Sequence, residues 1–224
     1  MRFNGTSRKT PAVYLPVQLV RDPDADLVAA CRLPGSDGFE DAFDALFRKY
    51  RERVYAIAFR VTGNAVDALD VSQESFALVF RKLSSFRGGS LFSTWLFRIV
   101  VNCSIDHKRR RPAADGGGLA SNEPMPEDVQ DHGPGPRDAA AQSELSDHIQ
   151  VAIGQLSPKL RAILALRYLE EMSYEELAAA LALSLGTVKS RLARAHLALE
   201  HVLRTRFPHL VQDDGSPAAM EGAG

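Results

Sequence analysis

The run SYEELAAALALSLGTVKSRLARA (173–195) decides how this chain is read. In its second half Val188, Leu192, Ala195 and, one turn on, Leu199 recur at 4-3-4 spacing, which places them on one buried stripe of a helix. Thr187, Lys189, Ser190, Arg191 and Arg194 then face outward, offering hydrogen-bond donors and positive charge. Ser173 followed by Glu176 fits a capping box that opens the first helix, and Ser184 can cap the second. Two short capped helices, the second with a basic outer face, form a helix-turn-helix suited to the major groove of duplex DNA.

Helical periodicity continues outward almost throughout, with no convincing alternating strand or hairpin dipeptide, so the fold class is all-α. Residues 1–23 carry three prolines and read as a mobile tail. A short helix over Asp24–Arg32 precedes one over Phe39–Thr62, which buries Phe43, Leu46 or Phe47, Tyr50, Val54, Ile57 and Val61 and ends at Gly63. The segment 66–83 places Val66, Leu69, Gln73, Phe76, Phe80 and Leu83 at 3-4-3-4-3 spacing, predicting that this stripe faces the core. A fourth helix starts near Ser93 as N-cap and runs through Lys108–Arg111 to Pro112. After residue 140 come a helix to about Gln155 and another capped by Ser157 with Pro158 in its first turn, whose buried face is Leu160, Ile163, Leu164 and Tyr168. Residues 208–224 read as a polar, frayed tail.

The near-neutral net charge of -1 over 224 residues conceals segregation. Arg81–Arg111 holds eight Lys or Arg against Asp106 alone, and Leu185–Arg206 five against Glu200 alone. Two basic blocks predict two contacts with one polyanion. Between them, Pro112–Asp138 has six acids, one base and ten Gly or Pro among 27 residues, a composition that builds no core. As a flexible acidic linker (113–140) it spans about 30 Å on average and about 90 Å when stretched. Its acids, and a packed-together arrangement of the units it joins, are expected to mask the basic faces in the free protein. Cys31 and Cys103 lack metal spacing and sit in apolar-periodic segments, which predicts buried thiols and no metal site. No signal peptide or bilayer-length apolar run is apparent, which predicts a cytoplasmic protein without membrane insertion.

FSTWLFRIVVNCSIDHKRRR (92–111), DALDVSQESF (67–76) and GTVKSRLARA (186–195) occur together around the acidic linker. Together, with the spacing of Trp95, Asn102, Asp106 and Arg109, they resemble the extracytoplasmic-function group of sigma factors, within the sigma-70 family of bacterial RNA polymerase. The resemblance implies a region 2 domain over 24–112 and a region 4 domain over 141–207. It implies a factor without catalytic activity or cofactor that binds core polymerase, recognises -10 and -35 promoter elements and promotes strand opening. Its partners would be the β′ clamp helices, the β flap, promoter DNA and an anti-sigma factor.

Asp67, Asp70 and Glu74, at i, i+3 and i+7, form a negative edge beside the expected apolar stripe; the resemblance assigns them to the clamp helices. Strand opening needs platforms and cations for unstacked bases. Phe86, Arg87, Phe92, Trp95, Arg98, Asn102, Lys108 and Arg109 are the -10 candidates, although the three aromatics could equally be core. Ser184, Gly186, Thr187, Lys189, Ser190, Arg191 and Arg194 are the -35 candidates. One departure stands out: Ala182 and Leu183 occupy the turn where the family often has Gly. The rival reading is a stand-alone helix-turn-helix regulator whose first unit serves dimerisation.

Overall fold

Gly38 and Gly63, both left-handed at φ 85° and 74°, bracket the 24-residue helix α2 (Phe39–Thr62), and the Gly63 N–H closes it on the Phe59 carbonyl. The computed structural model describes residues 22–32, 37–110, 145 and 148–210, without the side chain of His209. Before α2 lies the short α1 (Ala25–Ala30), with Val28 and Cys31 buried. After it come α3 (Ala65–Lys82) and α4 (Phe92–Arg110), completing a bundle in which α2, α3 and α4 pack on one another. The second group is α5 (148–154), α6 (Pro158–Tyr168), α7 (Tyr174–Leu181) and α8 (Leu185–Arg206). Among the described residues there is no strand, as expected. The linker, most of both expected tails and the start of the expected 141–155 helix lie outside the described residues.

The stripe expected to bury α3 is a correction. Ala68, Val71, Ser75 and Val79 are buried, followed by Leu83, whereas Val66 is 63% exposed, Leu69 53% and Phe80 47%. A helix wedged between two others needs small side chains on its inner face, because backbones approach closely only over Ala, Ser and Val. The larger 66-69-73-76-80 row is displaced outward, and of it Phe76 and Phe80 reach α2 only at the rim, against Phe47 and Phe43 at 4.7 and 5.2 Å between ring centroids.

Helix α6 also departs from expectation. Residues 161–166 are all buried, including Arg161, while Tyr168 is 62% exposed. A one-faced pattern fails because α6 packs on α8 and α7 on one side and on α2 and α4 on the other. The two groups thus share one continuous core rather than two separate ones. Ser157 is the N-cap residue with Pro158 behind it, yet its side chain makes no capping bond.

The seam between the groups is partly polar. Arg53 of α2 donates from Nε to Glu170 at 2.9 Å and also bonds it through the guanidinium terminus. The Glu170 side chain is only 2% exposed, and burial raises its pKa against the opposing pull of Arg53. Burial of the charged carboxylate therefore opposes closure, and the pairing only offsets it. Glu170→Gln, which keeps an acceptor and removes the charge, is expected to leave the packed arrangement intact or tighten it. Arg53→Ala strands the carboxylate at a cost of about 1–3 kcal/mol and should shift the molecule toward separated units. Energy transfer between dyes on α3 and α8 measures both; equal loosening by the two variants would show that charge at this seam is not what matters.

Candidate nucleic-acid and polymerase interfaces

The helix-turn-helix forms as its sequence predicts. Ser173 Oγ accepts from the Glu176 N–H and the Glu176 side chain accepts from the Ser173 N–H, a complete capping box on α7. Ser184 Oγ accepts from the Thr187 N–H at 3.2 Å and starts α8. Val188, Leu192 and Ala195 are buried, and Leu199 packs against them. Between the helices Ala182 itself takes the left-handed conformation, φ 53° and ψ 49°, where a Cβ is strained. The turn is made without its usual Gly. Ala182→Gly should stabilise the protein by about 1 kcal/mol, raising Tm by about 2–4 °C in a scanning calorimeter; an unchanged or lower Tm would mean that the strain is relieved elsewhere.

On the outer face of α8, Gly186, Lys189, Ser190 and Arg194 are exposed, and Thr187 and Arg191 are half-buried. Among the described residues Lys189 has no ion-pair partner, while Arg194 Nε donates to the Ser190 carbonyl at 3.4 Å. Thr187 Oγ1 lies 2.8 Å from Ser184 Oγ, so these two hydroxyls are first committed to each other. Among the described residues this face of α8 stays exposed; the linker acids expected to mask it lie outside the described residues. The cation that packing does cover is Arg98, whose Nε donates to the Ala180 carbonyl of α7 at 3.3 Å.

The loop before α4 divides the expected strand-capturing aromatics. Phe86 and Phe92 are 7% and 1% exposed, Phe92 against Tyr50 and both against Trp95, too deep to stack on a base. They pack against Trp95, which is half-buried with its ring 5.1 Å from Phe86 and 5.9 Å from Phe92. Arg87 and Asn102 are exposed. Farther along α4, Arg109 lies 3.6 Å from Asp106, and Lys108 lies 3.9 Å from Asp67. Lys82, Asn102, Arg109 and Arg110 rim a groove between α3 and α4 floored by Leu78, Ile99 and Cys103. Burial raises the thiol pKa of both Cys31 and Cys103, as structural cysteines require.

The acidic edge of α3 is likewise smaller than the spacing implied. Asp67 is 5% exposed and faces α4, 3.1 Å from His107 Nε2, so it links the two helices. Glu74 pairs with Arg110 at 3.2 Å. Asp70 remains exposed, beside Val66 and Leu69. Among the described residues no cluster of three or more potential metal ligands exists, and no helix is long and apolar enough to cross a membrane.

Comparison with known proteins matches this architecture unit by unit. Residues 46–113 match the model of sigma-70 region 2, and residues 146–199 that of sigma-70 region 4. The chain is 35% identical over 172 residues to the ECF RNA polymerase sigma factor SigW of Bacillus subtilis, covering 75% of this chain and 91% of that protein. The chain belongs to the extracytoplasmic-function sigma factors. It is also 37% identical to the sigma factor SigE of Mycolicibacterium smegmatis, of which it spans 64%, about two thirds of that relative's length. Among solved structures it resembles CnrH bound to the cytosolic domain of CnrY, with TM-score 0.58 and 26% identity, covering 82% of this chain and 98% of that one. The sigma factor RpoE of Bartonella quintana, bound to the anti-sigma factor NepR, matches at TM-score 0.57 and 25% identity over 73% of this chain and 98% of that one.

What the sequence of this sigma factor did not disclose is the exposed row on α3, Val66, Leu69 and Phe80, with Phe47 at its edge. The signal was present in the competing small-residue row 68-71-75-79, which the larger row obscured.

Proposed function

We propose that this sigma factor docks on core RNA polymerase through the exposed face of α3, reads the -35 element with α8, and captures -10 bases around Trp95 and the exposed edge of α4. Promoter opening would draw on binding energy, with no catalysis by the chain itself, in the cytoplasm where polymerase and promoter meet. The observation that carries this reading is that one chain presents both an open basic recognition helix and an apolar face with Val66 and Leu69 more than half exposed. A face of that kind marks an interaction site, and Asp70 beside it suits a basic partner helix. The β flap is the expected partner of the second group, whose Tyr168, Tyr174 and Leu197 are exposed. An anti-sigma factor is a further partner, supported by the complex in which the Bartonella sigma factor was solved with the anti-sigma factor NepR.

In this reading the packed molecule is a resting form. Reaching two promoter elements at once requires the seam to open and Arg98 to leave the Ala180 carbonyl. Run-off transcription with purified core polymerase tests the function: product that depends on this protein supports it, and mere blockage of transcription selects the stand-alone regulator. Leu69→Asp should abolish association with core while leaving the fold intact, since Leu69 is exposed; undiminished association would move the docking face elsewhere.

A further inference from the structure

Leu91, the residue before α4, has no polar side chain with which to cap it. Ser93, the residue expected to cap it, lies inside the helix, and the Phe92 N–H donates instead to Asp22 Oδ2 at 2.7 Å, across 70 positions of sequence. The other oxygen of the same carboxylate, Oδ1, accepts the Asp24 N–H at 3.0 Å, which folds the chain around Asp22 and aims it. Asp24 in turn is 1% exposed and is held by Lys49 Nζ and the Tyr50 hydroxyl of α2. Burial and the Asp24 carboxylate both push the Tyr50 phenol pKa up, so the hydroxyl remains a donor. The Tyr50 ring closes the circuit, 5.6 Å from Phe92 and 6.1 Å from Phe97. Both aspartates precede the stretch that matches sigma-70 region 2, which begins at residue 46.

We propose that Asp22 is a positioning residue for promoter opening, its carboxylate capping α4 so that Trp95, one turn into the helix, is presented at a fixed height and angle. This rests on the reading of Trp95 as the strand-capturing platform. A helix start without its cap frays over the first turn. Trp95 lies in that turn, its N–H bonded to the Leu91 carbonyl at 3.1 Å, and a ring that samples several orientations holds an unstacked base less well. Asp22 touches neither polymerase nor DNA in this scheme. It acts through the α4 backbone.

Full-length wild type, Asp22→Ala and Asp22→Asn are to be assembled with core polymerase and compared for core affinity by fluorescence anisotropy and for open-complex formation by permanganate reactivity. Asp22→Ala, which removes the cap, should reduce open complex about fivefold at unchanged core affinity. Asp22→Asn, whose single amide oxygen can still accept the Phe92 N–H while the Asp24 N–H loses its acceptor, should recover part of the opening lost in Asp22→Ala. The proposal is overturned if Asp22→Ala opens promoters like wild type, if opening and core affinity fall together, or if Asp22→Asn is as defective as Asp22→Ala. Wild type that joins core but opens no promoter would sink the sigma-factor reading itself, an outcome distinct from any of these.

Discussion

Trp95→Ala is expected to cut open-complex formation by about 10- to 100-fold while leaving polymerase association unchanged. The ring is half-buried and packs against Phe86 and Phe92. An aromatic platform contributes about 1–3 kcal/mol to holding one unstacked base, and that contribution exists only after the strand has opened. Its loss therefore weakens opening and leaves docking alone. Permanganate footprinting reports the opened thymines, and Trp95→Phe, which keeps the packing and a smaller platform, should fall between wild type and Ala. Should association with polymerase decline in step with opening, Trp95 serves the core and the platform assignment fails.

The second large effect is expected on the recognition helix. Lys189 and Arg194 are exposed on α8, away from its buried Val188, Leu192 and Ala195 stripe, and side-chain bonds to base edges contribute about 1–3 kcal/mol each. Replacing both with Ala should weaken holoenzyme binding to the upstream duplex by about 10-fold or more, with core association intact. Salt titration separates the roles: removing a side chain that neutralises a phosphate lowers the slope of log affinity against log salt by about one, whereas removing one that reads a base edge relaxes sequence preference. Arg191 and Thr187 are half-buried, and Thr187 is bonded to Ser184, so their replacement should matter less. A double variant that binds the upstream duplex like wild type would show that α8 is not the reading element.

The local features of this chain are legible residue by residue. Gly63 ends α2 because only a left-handed residue turns the chain there, and Ser173 with Glu176 opens α7 by satisfying its first amides. The α8 stripe is legible because a single dominant apolar row competes with nothing else on that helix. On α3 two rows compete, and hydrophobicity alone favours the larger. Burial between α2 and α4 instead selects for small volume, a property of neighbours rather than of the helix. The same applies to Asp67, whose charge suggests a surface and whose partner, His107, lies forty positions away. Phe86 and Phe92 are ambiguous in sequence for the same reason: an aromatic beside a glycine pair can face inward or outward, and Tyr50 decides the matter by packing against Phe92.

Sequence by itself determined the helical class, the order of the helices, the caps at Gly63, Ser173 and Ser184 and the basic face of α8, all of which depend on spacings shorter than about two turns. Tertiary structure alone decided which face of α3 is buried, that α6 is enclosed on both sides, that Arg98 is covered by α7, and that Asp22 caps α4. Each of these depends on which distant surface arrives opposite a residue. Periodicity reports that a helix has an apolar side, but the volume and charge waiting across the gap settle which side the fold uses.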